Sequence, residues 1–351
     1  MNKVYNDNVG QMRGIDNMNK ITITDIAKKC GVSIKTVSRV VNNSPNVSDI
    51  TREKVLAAMK EDSYQVNLFA RGLKGSKTNI ILVLVDRHRE EHLSIWHNIM
   101  LKYMFQYAKE KSLKIVISPS NSEKYLEDET DGFYLISSGI ADGVILLENV
   151  HNDARVEYLN KENIPYVVFG EPEDNNIYSV SLDNYDVGFK GGRYLVEKNY
   201  KDIAFLIGEL KFLSTQLRMK GFEDAVKGHN VKYHIYHGVD TIEKAYQQAL
   251  LIIESSSVDT FFVSGDERAI GVYKAINEKK RRIPEDIAVL GIDNIPLGQY
   301  LYPSISTVEQ DFKKLAYECI NKLFLLLNFQ DTEIIPVKTL ITANIIERES
   351  T

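Results

Sequence analysis

Residues 22–42 read TITDIAKKCGVSIKTVSRVVN, and their pattern decides how the N-terminal part folds. Thr22-Ile-Thr-Asp25 has the form of a capping box, with Asp where Glu is usual. It predicts a helix over 23–30, ended by Gly31, which takes positive φ without steric cost. Ser33 then caps a second helix over 34–41. Asn42-Asn-Ser-Pro45 breaks it. Ser48 caps a third helix from Asp49 to about Asp62, with Val55, Leu56 and Met59 on one face. Ala27 is small enough for the first two helices to approach, and Val32 and Val37 fill the corner between them. The second helix projects Ile34, Lys35, Ser38 and Arg39 from its N-terminal half, as a recognition helix in a major groove does. Arg39 suits guanine O6 and N7. Ser33, Thr36, Ser48 and Thr51 set short hydroxyls near helix starts, where phosphates bind. On spacing alone, a plain helical hairpin also fits.

Charge favours the nucleic-acid reading. Residues 19–78 hold 11 Lys/Arg against 5 Asp/Glu, whereas the chain as a whole carries −5. A basic head on an acidic body points to nucleic acid at the head. The chain has 351 residues, 44% of them apolar, which is enough for two or three domains with a large core. No apolar run approaches the ~18 residues of a membrane helix. The first residues, MNKVYNDNVGQMRG, lack the apolar core of a secretory signal. Cys30 and Cys319 form neither a metal nor a disulfide pattern, which suits a reducing cytoplasm.

From residue 79 the pattern changes to short β-rich runs alternating with amphipathic helices. The runs are 80–85, 114–118, 143–147, 166–169, 203–206, 231–236, 260–263 and 287–291; helices over 96–111 and 185–198 are two of those between them. Alternating βα units imply parallel sheets covered by helices, and so many residues call for two lobes. Such sheets bind ligands beyond the carboxyl ends of their strands. Asp86, Glu171 and Asp266, which follow three of the runs, are therefore candidates.

The run from Thr22 to Tyr64 resembles, almost without a gap, the head of the LacI/GalR family of bacterial repressors. The resemblance continues more weakly through Arg218-Met-Lys-Gly-Phe222, through 283–294 (IPEDIAVLGIDN) and through 306–312 (STVEQDF). It implies an all-α helix-turn-helix head plus an α/β core, a two-lobed periplasmic-binding-protein-like fold with parallel sheets. Residues 1–18 are polar and without periodicity and read as a disordered tail; the resemblance implies a head over 19–65, a hinge helix and linker over 66–78, and an effector core over 79–351. The N-lobe would take about 79–180 and 308–338, and the C-lobe about 181–307 and 339–351.

By the same resemblance, Ile34 and Lys35 choose the operator sequence and Arg39 is the shared base contact. Asn67-Leu-Phe-Ala-Arg-Gly-Leu73 is similar to the family's hinge helix, whose leucine, here Leu73, wedges into a minor-groove step. Val66 stands where the family usually has proline. Thr22, Asn42, Asn67, Ala70, Arg71 and Lys74 complete the DNA-facing set. Arg218 and Asp293 stand at effector-binding positions, and a guanidinium fork and a carboxylate each suit neighbouring hydroxyls. Trp96 and His97 fall near the family's paired aromatics, and Gln310 completes the effector set. Asp240 stands where many relatives have an aromatic.

The function that follows is a cytoplasmic homodimeric repressor of a carbohydrate-utilisation operon, released from palindromic DNA by a sugar. A purine, a nucleoside or a protein co-effector is the alternative signal. The chain ends at Glu347-Arg-Glu-Ser-Thr351 without a heptad tail, which favours a dimer over a tetramer. No cofactor or metal is expected. His88-Arg-Glu-Glu-His92 fits one zinc-peptidase pattern, but it directly follows a strand instead of lying on a helix, so an enzyme is not expected.

Overall fold

The computed structural model describes residues 21–41, 44–64, 77–86, 93–122, 125, 128–147, 152–172, 174–329 and 334–351. These fall into two compact units, divided after Lys74.

The first unit holds α1 (Ile23–Cys30), α2 (Ile34–Val41) and α3 (Asp49–Glu61). Its caps follow the sequence. Thr22 and Asp25 form the capping box, Gly31 takes φ 62°, and the Ser48 hydroxyl accepts from the Thr51 N–H. Ile26, Ala27, Cys30, Val37, Val40, Val55 and Ala58 make the core. Val37 is fully buried and Val32 packs at its edge, so the corner is filled as expected. Leu56 is not part of this core: it is 49% exposed. It lies about 100° round the helix from Val55, and Ala58 takes the inward place. Lys29 ties α1 to the end of α3 through Asp62, at 2.5 Å, and Glu61, at 3.2 Å.

The second unit contains, in chain order, β1 (Ile80–Asp86), α4 (Ile95–Glu110), β2 (Lys114–Ser120), α5 (Tyr134–Ser137), β3 (Gly143–Leu146), α6 (Ala154–Lys161), β4 (Tyr166–Phe169) and β5 (Ser179–Leu182). Next come α7 (Asn184–Glu197), β6 (Asp202–Leu206), α8 (Leu213–Val226), β7 (Lys232–Tyr236), α9 (Ile242–Ser255), β8 (Thr260–Val263), α10 (Asp266–Glu278) and β9 (Ala288–Asp293). The remainder is β10 (Ser306–Glu309), α11 (Phe312–Leu327), β11 (Lys338–Ile341) and β12 (Asn344–Ile346).

The strands form two six-stranded sheets, ordered β11-β5-β4-β3-β1-β2 and β12-β10-β9-β8-β6-β7. The first is parallel throughout, and in the second only the edge strand β12 runs antiparallel. Central strands such as β3, β6, β8 and β9 are buried at every position, as a sheet covered on both faces requires. One apolar cluster joins the first sheet to α4 and α11. Two more cover the second sheet, one with α7 and α8 and the other with α9 and α10.

Four strands, β5, β10, β11 and β12, lie outside the runs read from sequence. They are three or four residues long, and three of them are rich in Ser, Thr or Lys. Ser179, Ser181, Ser306 and Thr307 are nonetheless buried in β5 and β10, so apolar density gives no sign of them. Among the described residues the chain crosses between sheets three times, after Leu182, after Glu309 and after Ile341. These crossings lie two to three residues beyond the expected lobe boundaries. β9 also runs two residues further than read, so Asp293 ends the strand at φ 119° instead of following it.

α7 and α8 meet backbone to backbone. A Cβ on Gly188 would stand 1.9 Å from the Arg218 carbonyl oxygen, and one on Gly221 would stand 2.0 Å from that of Tyr185. Gly221→Ala should therefore cost about 1–3 kcal/mol by overpacking, read as a lower urea midpoint with an unchanged slope. An unchanged midpoint would contradict this packing.

Candidate functional site

In the first unit the surface of α2 is the candidate nucleic-acid face. Ile34 is 44% exposed. Ser33, Lys35 and Arg39 are exposed beside it, and Thr36 and Ser38 are half-buried. The hydroxyls of Ser33 and Thr36 lie 2.9 Å apart, and so do those of Ser48 and Thr51. Each pair marks a helix N-terminus, where backbone N–H groups and the helix dipole favour an anion. Thr22 instead spends its hydroxyl on Asp25, at 2.7 Å. Asn42, Asn67, Ala70, Arg71, Leu73 and Lys74 lie outside the described residues.

In the second unit a cavity of about 170 Å³ opens at the carboxyl ends of both sheets. Trp96, Phe169, Glu171 and Ser181 line it from the first sheet's side. Arg218, Ser264, Arg268 and Asp293 line it from the second, with Asn184 and Gln310 beside the crossings.

Arg218 is held by two bonds. Its Nε donates to Asn184 Oδ1 at 2.8 Å and its Nη1 to Ser264 Oγ at 3.0 Å. Asn184, only 3% exposed, gives its backbone N–H and its Nδ2 to Glu171 Oε1, both at 3.2 Å. A continuous chain thus runs from Glu171 through Asn184 and Arg218 to Ser264. Burial lowers the Arg218 pKa, and the Asp293 and Glu171 carboxylates oppose that shift. Burial pushes Asp293 up to about 6, opposed by Arg218, by Arg268 and by the Gln310 amide that donates to it. The Trp96 ring stacks on His97 at 3.7 Å and meets Phe169 at 5.8 Å, which makes an apolar wall.

Five of the eight predicted effector residues line the cavity: Trp96, Glu171, Arg218, Asp293 and Gln310. Asp86 ends β1, and its side chain lies outside the described ones. His97 and Asp266 are not in the wall. His97 is buried behind Trp96, with its Nδ1 2.5 Å from the Ser94 hydroxyl. Asp266 is fully buried; it accepts from Thr307 Oγ1 at 2.7 Å and from the Ile295 N–H at 3.0 Å. These bonds turn it inward to tie β10 to the turn after β9, and burial raises its pKa well above the usual carboxylate value.

Asn184, Ser264 and Arg268 were not foreseen. Ser264 directly follows a strand and was open to the same rule that picked out Asp266. Asn184 follows β5, which carried no apolar signal. Asp240 lines the cavity where an aromatic is usual and pairs with Lys244 at 2.7 Å.

Among the described residues no three metal-ligating side chains cluster, and no helix is long and apolar enough to cross a membrane. The His88–His92 motif lies outside them.

Residues 22–67 match a profile described as bacterial regulatory proteins, lacI family, and residues 193–351 match a periplasmic binding protein-like domain. The chain is 30% identical over 310 residues to the transcriptional repressor PurR of Histophilus somni, covering 86% of this chain and 91% of that one. It is also 30% identical over 318 residues to the transcriptional regulator MalR of Clostridium butyricum, covering 88% and 93%. The lac repressor dimer bound to operator and the anti-inducer ONPF superposes with TM-score 0.79 at 25% identity, over 94% of this chain and 98% of that one.

The proton on Asp293 gives a pH test. The folded state holds it more tightly than the unfolded chain, whose carboxyl titrates at 3.8. Its stabilising contribution is therefore complete below pH 3.8 and lost as pH rises to about 6. The urea midpoint of the wild type should fall relative to Asp293→Asn across that window and run level above it. A constant difference would place the carboxyl in water.

Proposed function

The chain belongs to the lacI family of bacterial regulatory proteins, and from that premise we propose that it represses a carbohydrate-utilisation operon and is released by a sugar. It is a transcriptional repressor of that family, not an enzyme. The observation that carries the sugar reading is the polar set on one cavity. The Arg218 guanidinium, the Asp293 and Glu171 carboxylates and the Gln310 amide face it, with Trp96 and Phe169 as an aromatic wall. Vicinal hydroxyls donate to carboxylates and accept from a guanidinium, while a ring's C–H face rests on an aromatic. The sugar acts through its unequal affinity for two lobe arrangements.

A purine or nucleoside is the second reading. It is favoured by the similarity to PurR and by three aromatics, Trp96, Phe169 and Phe212, around the cavity.

On DNA, two copies of the chain would place α2 in successive major grooves of a palindrome. Ile34, Lys35, Ser38 and Arg39 would face the bases; Thr22, Ser33, Thr36, Asn42, Ser48 and Thr51 would face the backbone. Asn67, Ala70, Arg71, Leu73 and Lys74 would enter the minor groove between the half-sites.

Two measurements test this function. Trp96 is the only tryptophan, so its fluorescence reports the cavity wall. Titration with monosaccharides, disaccharides, sugar phosphates, purines and nucleosides should give one saturable response, to a sugar, that is lost in Asp293→Ala. A response to purines alone transfers the protein to the second reading. The second measurement uses a palindromic duplex selected from a random pool. Arg39→Ala should weaken its binding by about 1–3 kcal/mol and relax its sequence preference. Unchanged binding would remove α2 from the groove.

A further inference from the structure

α4 begins without a cap of its own. Ser94 stands at its N-cap but its side chain accepts from no backbone N–H of the helix; its hydroxyl is turned instead to the His97 ring. The first turn carries no acidic residue. Uncapped N–H groups at a helix start need an acceptor. Here one acceptor comes from the opposite lobe: the Ile95 N–H donates to Glu267 Oε2 at 3.0 Å, across 172 residues of sequence.

Glu267 lies in the first turn of α10, so one carboxylate serves the positive ends of two helices, one per lobe. Other links between the two lobes, such as Asn184 with Glu171 and Gln310 with Asp293, sit beside the crossings, where covalent continuity brings the partners together. Ile95 and Glu267 lie on no crossing segment. Their neighbours in sequence, Trp96 and Arg268, both line the cavity. The contact therefore bridges two walls of the cavity.

We propose that Glu267 is a positioning residue that latches the lobes by capping the N-lobe helix α4 from the C-lobe, and so sets the gap offered to a ligand. The latch acts whatever ligand the cavity takes. A ligand that fits the latched gap adds to the closed population, and one that spans a wider gap draws on the open one.

Spin labels on the full chain test this directly. Lys102→Cys on α4 and Asn277→Cys on α10 are exposed sites, and the native Cys30 and Cys319 are buried. Without ligand, Glu267→Ala should lengthen and broaden the distance between the labels. It should also speed hydrogen exchange at the Ile95 amide by about tenfold, the worth of a hydrogen bond to a charged group. Glu267→Gln keeps an accepting oxygen and should restore the wild-type distance in large part, a rescue that a merely structural role would not give.

Ile95→Pro attacks the same bond from the donor side. Proline is well tolerated at the first helical position, and Ser94 already holds φ −62° and ψ 162°, as a residue before proline prefers. It should open the labels as Glu267→Ala does, and it carries the test if Glu267→Ala fails to fold. Wild-type distances in Ile95→Pro, or in a folded Glu267→Ala, would overturn the latch.

Discussion

A half-buried guanidinium and a buried carboxylate set the terms for the cleft. Arg218 loses hydration there, which disfavours its charge, and Asp293 and Glu171 oppose that loss. Asp293 is disfavoured by the same burial and opposed in turn by Arg218 and Arg268. Each charge thus supports the other where hydration is reduced, since an unpaired charge is costly to bury. The surroundings serve this arrangement. Asn184 and Ser264 fix the plane of the guanidinium, the close approach of α7 and α8 fixes its backbone, and Gln310 holds Asp293 from the opposite side. A ligand entering the cavity meets an electrostatic pattern already set, which lowers the ordering cost of binding.

The head was legible almost in full, because its determinants are local. A capping box, a left-handed glycine and hydroxyl N-caps act within four residues of themselves, and the three helices begin where those residues stand. Leu56 was misplaced because one residue of helical phase separates a core position from solvent. In the core, the central strands were legible as apolar runs buried on both faces. β5 and β10 were not, because their serines and threonines are buried with hydrogen bonds. Polarity then says nothing of burial.

The same limit governs the cavity. Position beyond a strand end selected Glu171, which lines the cavity, and also Asp266, which does not, because residue type cannot tell a carboxylate facing a cavity from one turned inward. What separates them is the Thr307 hydroxyl and the Ile295 N–H, both far along the chain from Asp266. Asn184 was invisible for the opposite reason: its importance lies in joining Glu171 to Arg218, a relation that exists only once β4, β5 and α8 are assembled. Side chains with strong chemistry were picked out, Arg268 excepted, and the connectors Asn184 and Ser264 were not.

The two sheets share one winding. Counted within each lobe, both run second, first, third, fourth and fifth strand, with the sixth supplied from near the C-terminus. The three crossings that result behave as parallel straps on a door. Straps set side by side permit swing and twist but resist sliding, so the lobes reorient without separating. A peptide bond cut at any one strap would leave two covalent ties, and the lobes would stay paired through damage that severs a singly linked pair of domains.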